Sequence, residues 1–401
     1  MDEITIGLRL RTLRRWRRMT QQELASQAKV SQSFLSMAEQ GLRALTNREI
    51  LGNLAAALSI SESDLIDRPH LTRDPVQSEP HTTIPLIREA VLANTLTAPI
   101  VDRARPLAEL VTEMRRIDQS EVKFREVGEK LPRLISELHV HACEPADEAA
   151  HRLALETLIE AFQTATFNAK DLGYSDLAHI AAMRAVEAAA ILGDPIAAGK
   201  AASLRIHTMP TTSWTARLTE AERAANALEP HATEAHDIQV LGMLTLAAAL
   251  AATVATNKDR AKHWLKEAGE LAKRVPDTPR ENWGAFSKTN VGVWNVALAV
   301  ERGEAGGDVL TLAHDVNEDV LAGRRGRHAA FVADVGRGLA KDIRTRSKAI
   351  KWLRRAEGIA PHKIRNDTRV HETVAVMLRQ AKAEAVSREL RGMAARMGIP
   401  H

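Results

Sequence analysis

Thr20-Gln21-Gln22-Glu23-Leu24-Ala25-Ser26-Gln27-Ala28-Lys29-Val30-Ser31-Gln32-Ser33-Phe34-Leu35-Ser36-Met37-Ala38-Glu39-Gln40-Gly41 carries two helix beginnings in quick succession. Thr20 with Glu23 three residues on makes a capping box: the hydroxyl accepts a backbone N–H of the first turn, and the carboxylate reaches back to the cap. Leu24, Ala25 and Ala28 then fall on one face. Lys29-Val30 makes a tight turn, and Ser31 caps a second helix that turns Phe34, Leu35 and Ala38 inward before Glu39-Gln40-Gly41 closes it.

The pattern extends both ways. Residues 6–18 read as a first helix, with Ile6, Leu10, Leu13 and Trp16 inward and Arg9, Arg11, Arg14, Arg15, Arg17 and Arg18 on the remaining faces. Beyond a turn at residues 42–46, a fourth helix carries Ile50, Leu51, Leu54, Ala55 and Leu58, and a short fifth from Ser61 buries Leu65 and Ile66. Two short helices joined by a tight turn inside a five-helix bundle form the helix-turn-helix architecture.

Thr20-Gln21-Gln22-Glu23-Leu24-Ala25, Val30-Ser31-Gln32-Ser33-Phe34-Leu35-Ser36 and Glu39-Gln40-Gly41 resemble the Cro/phage-repressor (Xre-type) DNA-binding domain, over nearly all of residues 1–67. Lys29 is one departure: the family often has Gly there at a left-handed position, so lysine costs about 1 kcal/mol; the apolar Met37 is another. In such a domain the start of the third helix enters the major groove. Gln32, Ser33, Ser36 and Met37 would then read base edges: Gln32 bidentately to adenine, Met37 against a thymine methyl. Gln21, Arg43, Asn47 and Arg48 are expected at phosphates, with Arg14 and Arg18, beside Arg15 and Arg17, adding positive potential. The alternative for the arginine-rich helix is a solvated face.

The whole chain has 401 residues, 45% hydrophobic, 26% charged and only 3% aromatic, with a net charge of +4. That is enough for two or three domains, and too weakly basic for a protein coating nucleic acid throughout. One cysteine, Cys143, excludes a disulfide framework or a Cys-rich zinc module, and the chain reads as cytoplasmic. No signal peptide is visible. The most apolar run, residues 240–256, falls short of the roughly 20 residues of a membrane span, so no membrane partner is expected.

Residues 68–83, with Pro69, Pro75 and Pro80, read as a linker. From residue 84 to 401 helical patterns alternate with short breaks. Leu172-Gly173-Tyr174-Ser175 is one; Leu192-Gly193-Asp194-Pro195 is another, with Gly past a helix end, Asp as cap and Pro at the next first position. The fold class is therefore all-α: the five-helix bundle followed by a tetratricopeptide-like α-solenoid, with an irregular helical domain as the alternative. Phe162, Ala165, Thr166 and Ala169 facing Ala178, Ala182 and Ala185 supply the small residues of one close-packed pair. Ile84-Pro85-Leu86-Ile87-Arg88, Leu131-Pro132-Arg133-Leu134-Ile135-Ser136-Glu137-Leu138, Asp194-Pro195, Phe286-Ser287-Lys288-Thr289-Asn290-Val291 and Arg396-Met397-Gly398 resemble the tetratricopeptide-like sensor region of actinobacterial Xre regulators. This resemblance implies a transcription regulator that homodimerises on an inverted-repeat operator and answers a peptide or small-molecule signal.

An asparagine amide can donate to and accept from a peptide unit, so Asn168, Asn290 and Asn295, with Trp294, are the ligand-binding candidates; local capping is the alternative role. His139, His141, Cys143 and His151 have partial metal-ligand spacing, but His141 points away on a helix, and no metal or cofactor is assigned. Gly323-Arg324-Arg325-Gly326-Arg327 reads as a basic loop, and Asp334 with Arg337 as an internal ion pair. No catalytic constellation stands out. The rivals to a regulator are a protein-interaction scaffold with a secondary DNA-binding module and an enzyme regulated by DNA.

Overall fold

A computed structural model describes residues 5–66, 75–119, 123–210, 213–279, 281–381 and 388–400. Among them the regular structure is helical, with no β-strand and one isolated bridge between Thr95 and Ala98. The all-α expectation holds. The chain folds as two compact units. One comprises Met1–Arg68, Pro210–Thr219 and Ala248–His401; the other comprises Pro69–Met209 and Glu220–Ala247. Residues 84–401 are thus shared between the two units.

The N-terminal module has α1 (Ile6–Trp16), α2 (Gln21–Gln27), α3 (Gln32–Glu39), α4 (Arg48–Leu58) and α5 (Glu62–Ile66). Thr5, Thr20, Ser31 and Asn47 cap the first four, each side chain accepting a first-turn N–H. Leu10, Leu24, Ala28, Leu35, Ala38, Leu54, Leu58 and Leu65 make the core. Gly7 lets α1 touch α3 backbone to backbone: a Cβ there would lie 1.8 Å from the Ala38 carbonyl oxygen.

Helix α1 corrects the sequence reading twice. Trp16 is 68% exposed and Arg14 is buried. At about 100° per residue, Arg14 and Trp16 flank the Ile6–Leu10–Leu13 stripe at comparable angles on opposite sides, so periodicity alone does not choose between them. The stripe is completed by an arginine because a carboxylate is waiting for it.

In the same unit a helical bundle includes Lys288–Glu301, Arg325–Ala340, Arg346–Ile359 and Thr368–Gln380 around Val296, Phe331, Val335, Leu353, Val370 and Val374. Gly323 to Arg327 is not a free loop. Helix Arg325–Ala340 starts inside it, and Arg324 and Arg325 donate to the carbonyls of Pro279 and Ile359, the latter ending a helix. Asp334 and Arg337 pair at 2.5 Å, as their spacing predicts.

The module docks on this bundle through polar groups. Glu372 on Thr368–Gln380, 1% exposed, accepts the amides of Ile6 at 2.8 Å and Leu45 at 3.1 Å. Glu301 accepts Arg48 Nη1 at 2.5 Å and the Arg48 amide at 3.4 Å, and its backbone carbonyl accepts Asn47 Nδ2 at 2.9 Å. Arg379 donates to the Gln40 carbonyl and Gln380 to that of Leu42. Gly41, at φ +69°, gives Arg379 room to reach its neighbour: a Cβ there would sit 2.4 Å from Nε.

The other unit includes Lys123–Cys143, Glu148–Asp171, Ser175–Leu192 and Pro195–Thr208. Phe162, Ala165 and Ala169 are buried, as are Ala178, Ala182 and Ala185 on the next helix. Gly193 ends Ser175–Leu192 in the left-handed region, Asp194 caps the next helix through the Ala197 amide at 2.7 Å, and Pro195 opens it. The linker reading gives way over Pro75–Thr82, which is helical. Pro75 is at the first position, where a missing N–H costs no hydrogen bond; residues 68–74 of the expected linker lie outside the described residues.

Among the described residues one helix, Ala235–Val254, has the length and apolarity to cross a membrane. It starts five residues before the apolar run, at Ala235, and 89% of its most apolar window is buried inside the protein.

Candidate nucleic-acid interface

The geometry of α2 and α3 follows from their ends. Thr20 and Glu23 form the reciprocal box, with the Glu23 amide 3.2 Å from Thr20 Oγ1 and the Thr20 amide 2.7 Å from Glu23 Oε2. The Thr20 amide and the Thr20 hydroxyl, which donates to the same Oε2 at 2.8 Å, hold the Glu23 carboxyl below its ordinary range. Lys29 turns the chain at φ 56°, and Ser31 Oγ accepts the Phe34 amide at 3.1 Å. The turn thus has at Lys29 the left-handed conformation that the resemblance implies.

Glu39 fixes the angle of the three helices. It is 1% exposed and takes Arg14 bidentately, at 2.5 and 2.8 Å, and Gln21 Nε2 at 2.8 Å. Arg14 also donates to the Met19 carbonyl at 2.7 Å. The hydrogen bond to Glu39 raises the Arg14 guanidinium above its ordinary range against the opposing effect of burial. A fully used bidentate pair of this kind defines orientation more than it adds stability.

What remains outside is the start of α3. Gln32 and Ser33 are exposed, and Met37 is 44% exposed. Ser33 Oγ lies 3.1 Å from Ser31 Oγ, and Ser36 Oγ accepts Gln40 Nε2 at 3.0 Å, so half-buried Ser36 is engaged within its own helix. The four expected base readers lie on one short helix; Gln32 offers a long bidentate amide at its first position.

The six expected phosphate contacts separate into two sets. Arg18 and Arg43 are exposed, with Arg43 stacked 4.5 Å over the Phe34 ring, and Arg11, Arg15 and Arg17 add exposed charge on or just after α1. Arg14 and Gln21 are spent on Glu39. Asn47 caps α4 through the Ile50 amide and binds the Glu301 carbonyl, while Arg48 is held by the Glu301 carboxylate. Burial alone would raise the Glu301 carboxyl; Arg48, Arg337 and Arg369 outweigh it and hold it below its ordinary range. Glu301 and Glu372 lie 253 and 327 residues from their loop partners, and no local pattern announces them.

Of the four ligand candidates, two meet. Asn290 Oδ1 accepts Arg327 Nε at 2.6 Å, and the Arg327 guanidinium lies 5.0 Å over the Trp294 ring. Burial pushes the Arg327 guanidinium down to about 10. Asn295 is half-buried on the same helix, and Asn168 is buried on Glu148–Asp171 in the other unit. The histidine cluster is engaged with backbone: His139 Nδ1 lies 2.7 Å from the Ile135 carbonyl, His141 Nε2 lies 2.8 Å from that of Arg105, and Cys143 reaches Thr95. Burial raises the Cys143 thiol, against a reactive thiolate.

A search of the curated proteins and one of the solved structures return no match for this chain. Residues 5–66 match a protein family described as a helix-turn-helix domain, the span that the capped helices and the Glu39 hub delimit. The N-terminal module is a helix-turn-helix domain.

Proposed function

We propose that the protein is a sequence-specific transcription regulator of the Xre type. It binds double-stranded DNA through α3 as a cytoplasmic homodimer and reads an inverted repeat whose half-site centres are about 34 Å apart or a multiple of that. Its helical part, tetratricopeptide-like in this reading, receives a peptide or small-molecule signal, and the cluster of Asn290, Trp294 and Arg327 is the candidate contact. The protein carries out no catalysis and needs no cofactor. The observation that carries the reading is the exposed start of α3, with Gln32 at its first position, on a helix locked by a buried hub to α1 and α2.

Selection of bound sequences from a random duplex library by the full chain tests it. An enriched, two-fold symmetric site is expected. Gln32→Ala should weaken binding to that site by roughly 1–3 kcal/mol, with random duplex little affected. No enrichment would sink the sequence-specific reading and favour the scaffold.

A further inference from the structure

We propose that the helix-turn-helix module is held in a latched state. Glu301 and Glu372 of the bundle occupy positions on the edge following α3 where DNA phosphates would bind, so full engagement of DNA requires this contact to open. The inference rests on the DNA-binding reading of the module.

The chemistry of the edge is that of a phosphate site. Backbone amides, a helix N-terminus and an arginine are the donors that fix phosphate oxygens. Residues 45–48 present all three together: the Leu45 amide, the start of α4 and the Arg48 guanidinium. Each faces a carboxylate. Glu372 takes the Leu45 amide, and Glu301 takes both the amide and side chain of Arg48. The carbonyls just before them, Gln40 and Leu42, are clasped by Arg379 and Gln380. The start of α3 remains uncovered, with Gln32, Ser33 and Met37 exposed. The reading surface is therefore open while its adjoining phosphate edge is filled from within.

The contact can exchange its anion. Around Glu301 the ion pairs join Glu301, Asp334 and Asp367 to Arg48, Arg337 and Arg369, with distances from 2.5 to 3.8 Å, and Lys341 lies close by. When Arg48 leaves, Arg337 keeps Asp334 and Arg369 keeps Asp367, so no guanidinium of the bundle is orphaned. Lys341, beside Glu301 on the bundle, stays with the carboxylate, and the module gains an arginine free to take a phosphate oxygen. Burying such a cluster adds little net stability, because desolvation offsets much of the attraction.

The test is the binding of the full chain to a random-sequence duplex across a salt series. The variants are Glu301→Gln and the double variant Arg379→Ala/Gln380→Ala, each checked for folding by circular dichroism. Glu229→Gln, an exposed position in the other unit, matches the charge change of the first. The latch predicts at least tenfold tighter binding for both variants and parental behaviour for the control. For Glu301→Gln, the slope of log K against log salt should steepen by about one per recovered phosphate. If Glu301→Gln fails to fold, the surface double variant decides alone. Parental or weaker binding by folded variants, while the parent itself binds, overturns the latch and leaves the DNA-binding reading standing. No binding by any of the proteins overturns that reading and the latch with it.

Discussion

Glu39 and Glu301 are both buried carboxylates holding an arginine of the same module, yet they sit in different kinds of place. Glu39 joins α1, α2 and α3 to one another through Arg14 and Gln21, 25 and 18 residues away. Glu301 joins the start of α4 to a helix from the other end of the chain. Around Glu39, Arg14 has the neutral Met19 carbonyl as its other partner among the described residues; around Glu301, Asp334 and Asp367 share the positive charge. The first carboxylate makes the module one body. The second makes a joint whose parts survive separation.

Removing each carboxylate is the severest trial of that contrast. Glu39→Ala leaves Arg14 buried without its counter-charge and should cost about 3–5 kcal/mol in urea denaturation. Glu301→Ala should cost distinctly less, and equal losses would erase the contrast. Replacing Arg14 and Glu39 together by methionines should restore much of the loss, since apolar residues of similar volume can take the place of a buried pair.

Glu372 sharpens the joint side through pH. Its carboxyl, at 4.5 in the unfolded chain, is pushed up to about 7 by burial, against the opposing amides of Ile6 and Leu45. Between those values the folded state binds the extra proton, so the group favours folding below pH 4.5 and this contribution is lost as pH rises to about 7. The full swing is roughly 3 kcal/mol. The folding stability of the parent relative to Glu372→Gln should therefore fall between pH 4.5 and 8; a constant difference would refute the assignment. The smallest effect is expected at the α2–α3 turn, where Lys29→Gly should stabilise the chain by up to about 1 kcal/mol by relieving a left-handed lysine. A lower thermal midpoint would show that the lysine side chain contributes more than its backbone costs.

The same contrast explains what could be read from residue order. The Thr20–Glu23 box, the Ser31 cap, the Gly193-Asp194-Pro195 break and the Asp334–Arg337 pair each lie within one or two helical turns, so their partners are fixed by spacing. The small residues at 178, 182 and 185 were legible because helical period and size together demand a close neighbour. Arg14 was misassigned because its inward direction depends on Glu39, which spacing does not reveal. The helix Pro75–Thr82 was hidden because proline at a first position resembles proline in a loop. Nothing near residues 40–48 points to positions 301, 372, 379 or 380, so the joint could be seen only in three dimensions. The candidate base readers came from a resemblance together with a periodicity, and their exposure follows from the Leu35–Ala38 face being buried.

Gly7 has a consequence for variation at the level of the codon. Any single-base change of a glycine codon that alters the amino acid introduces a side chain with a Cβ, or a stop. Every such side chain would meet the Ala38 oxygen at 1.8 Å, with backbone on both sides and no flexible group to yield. Position 7 thus has a permitted alphabet of one letter, set by the gap between two backbones.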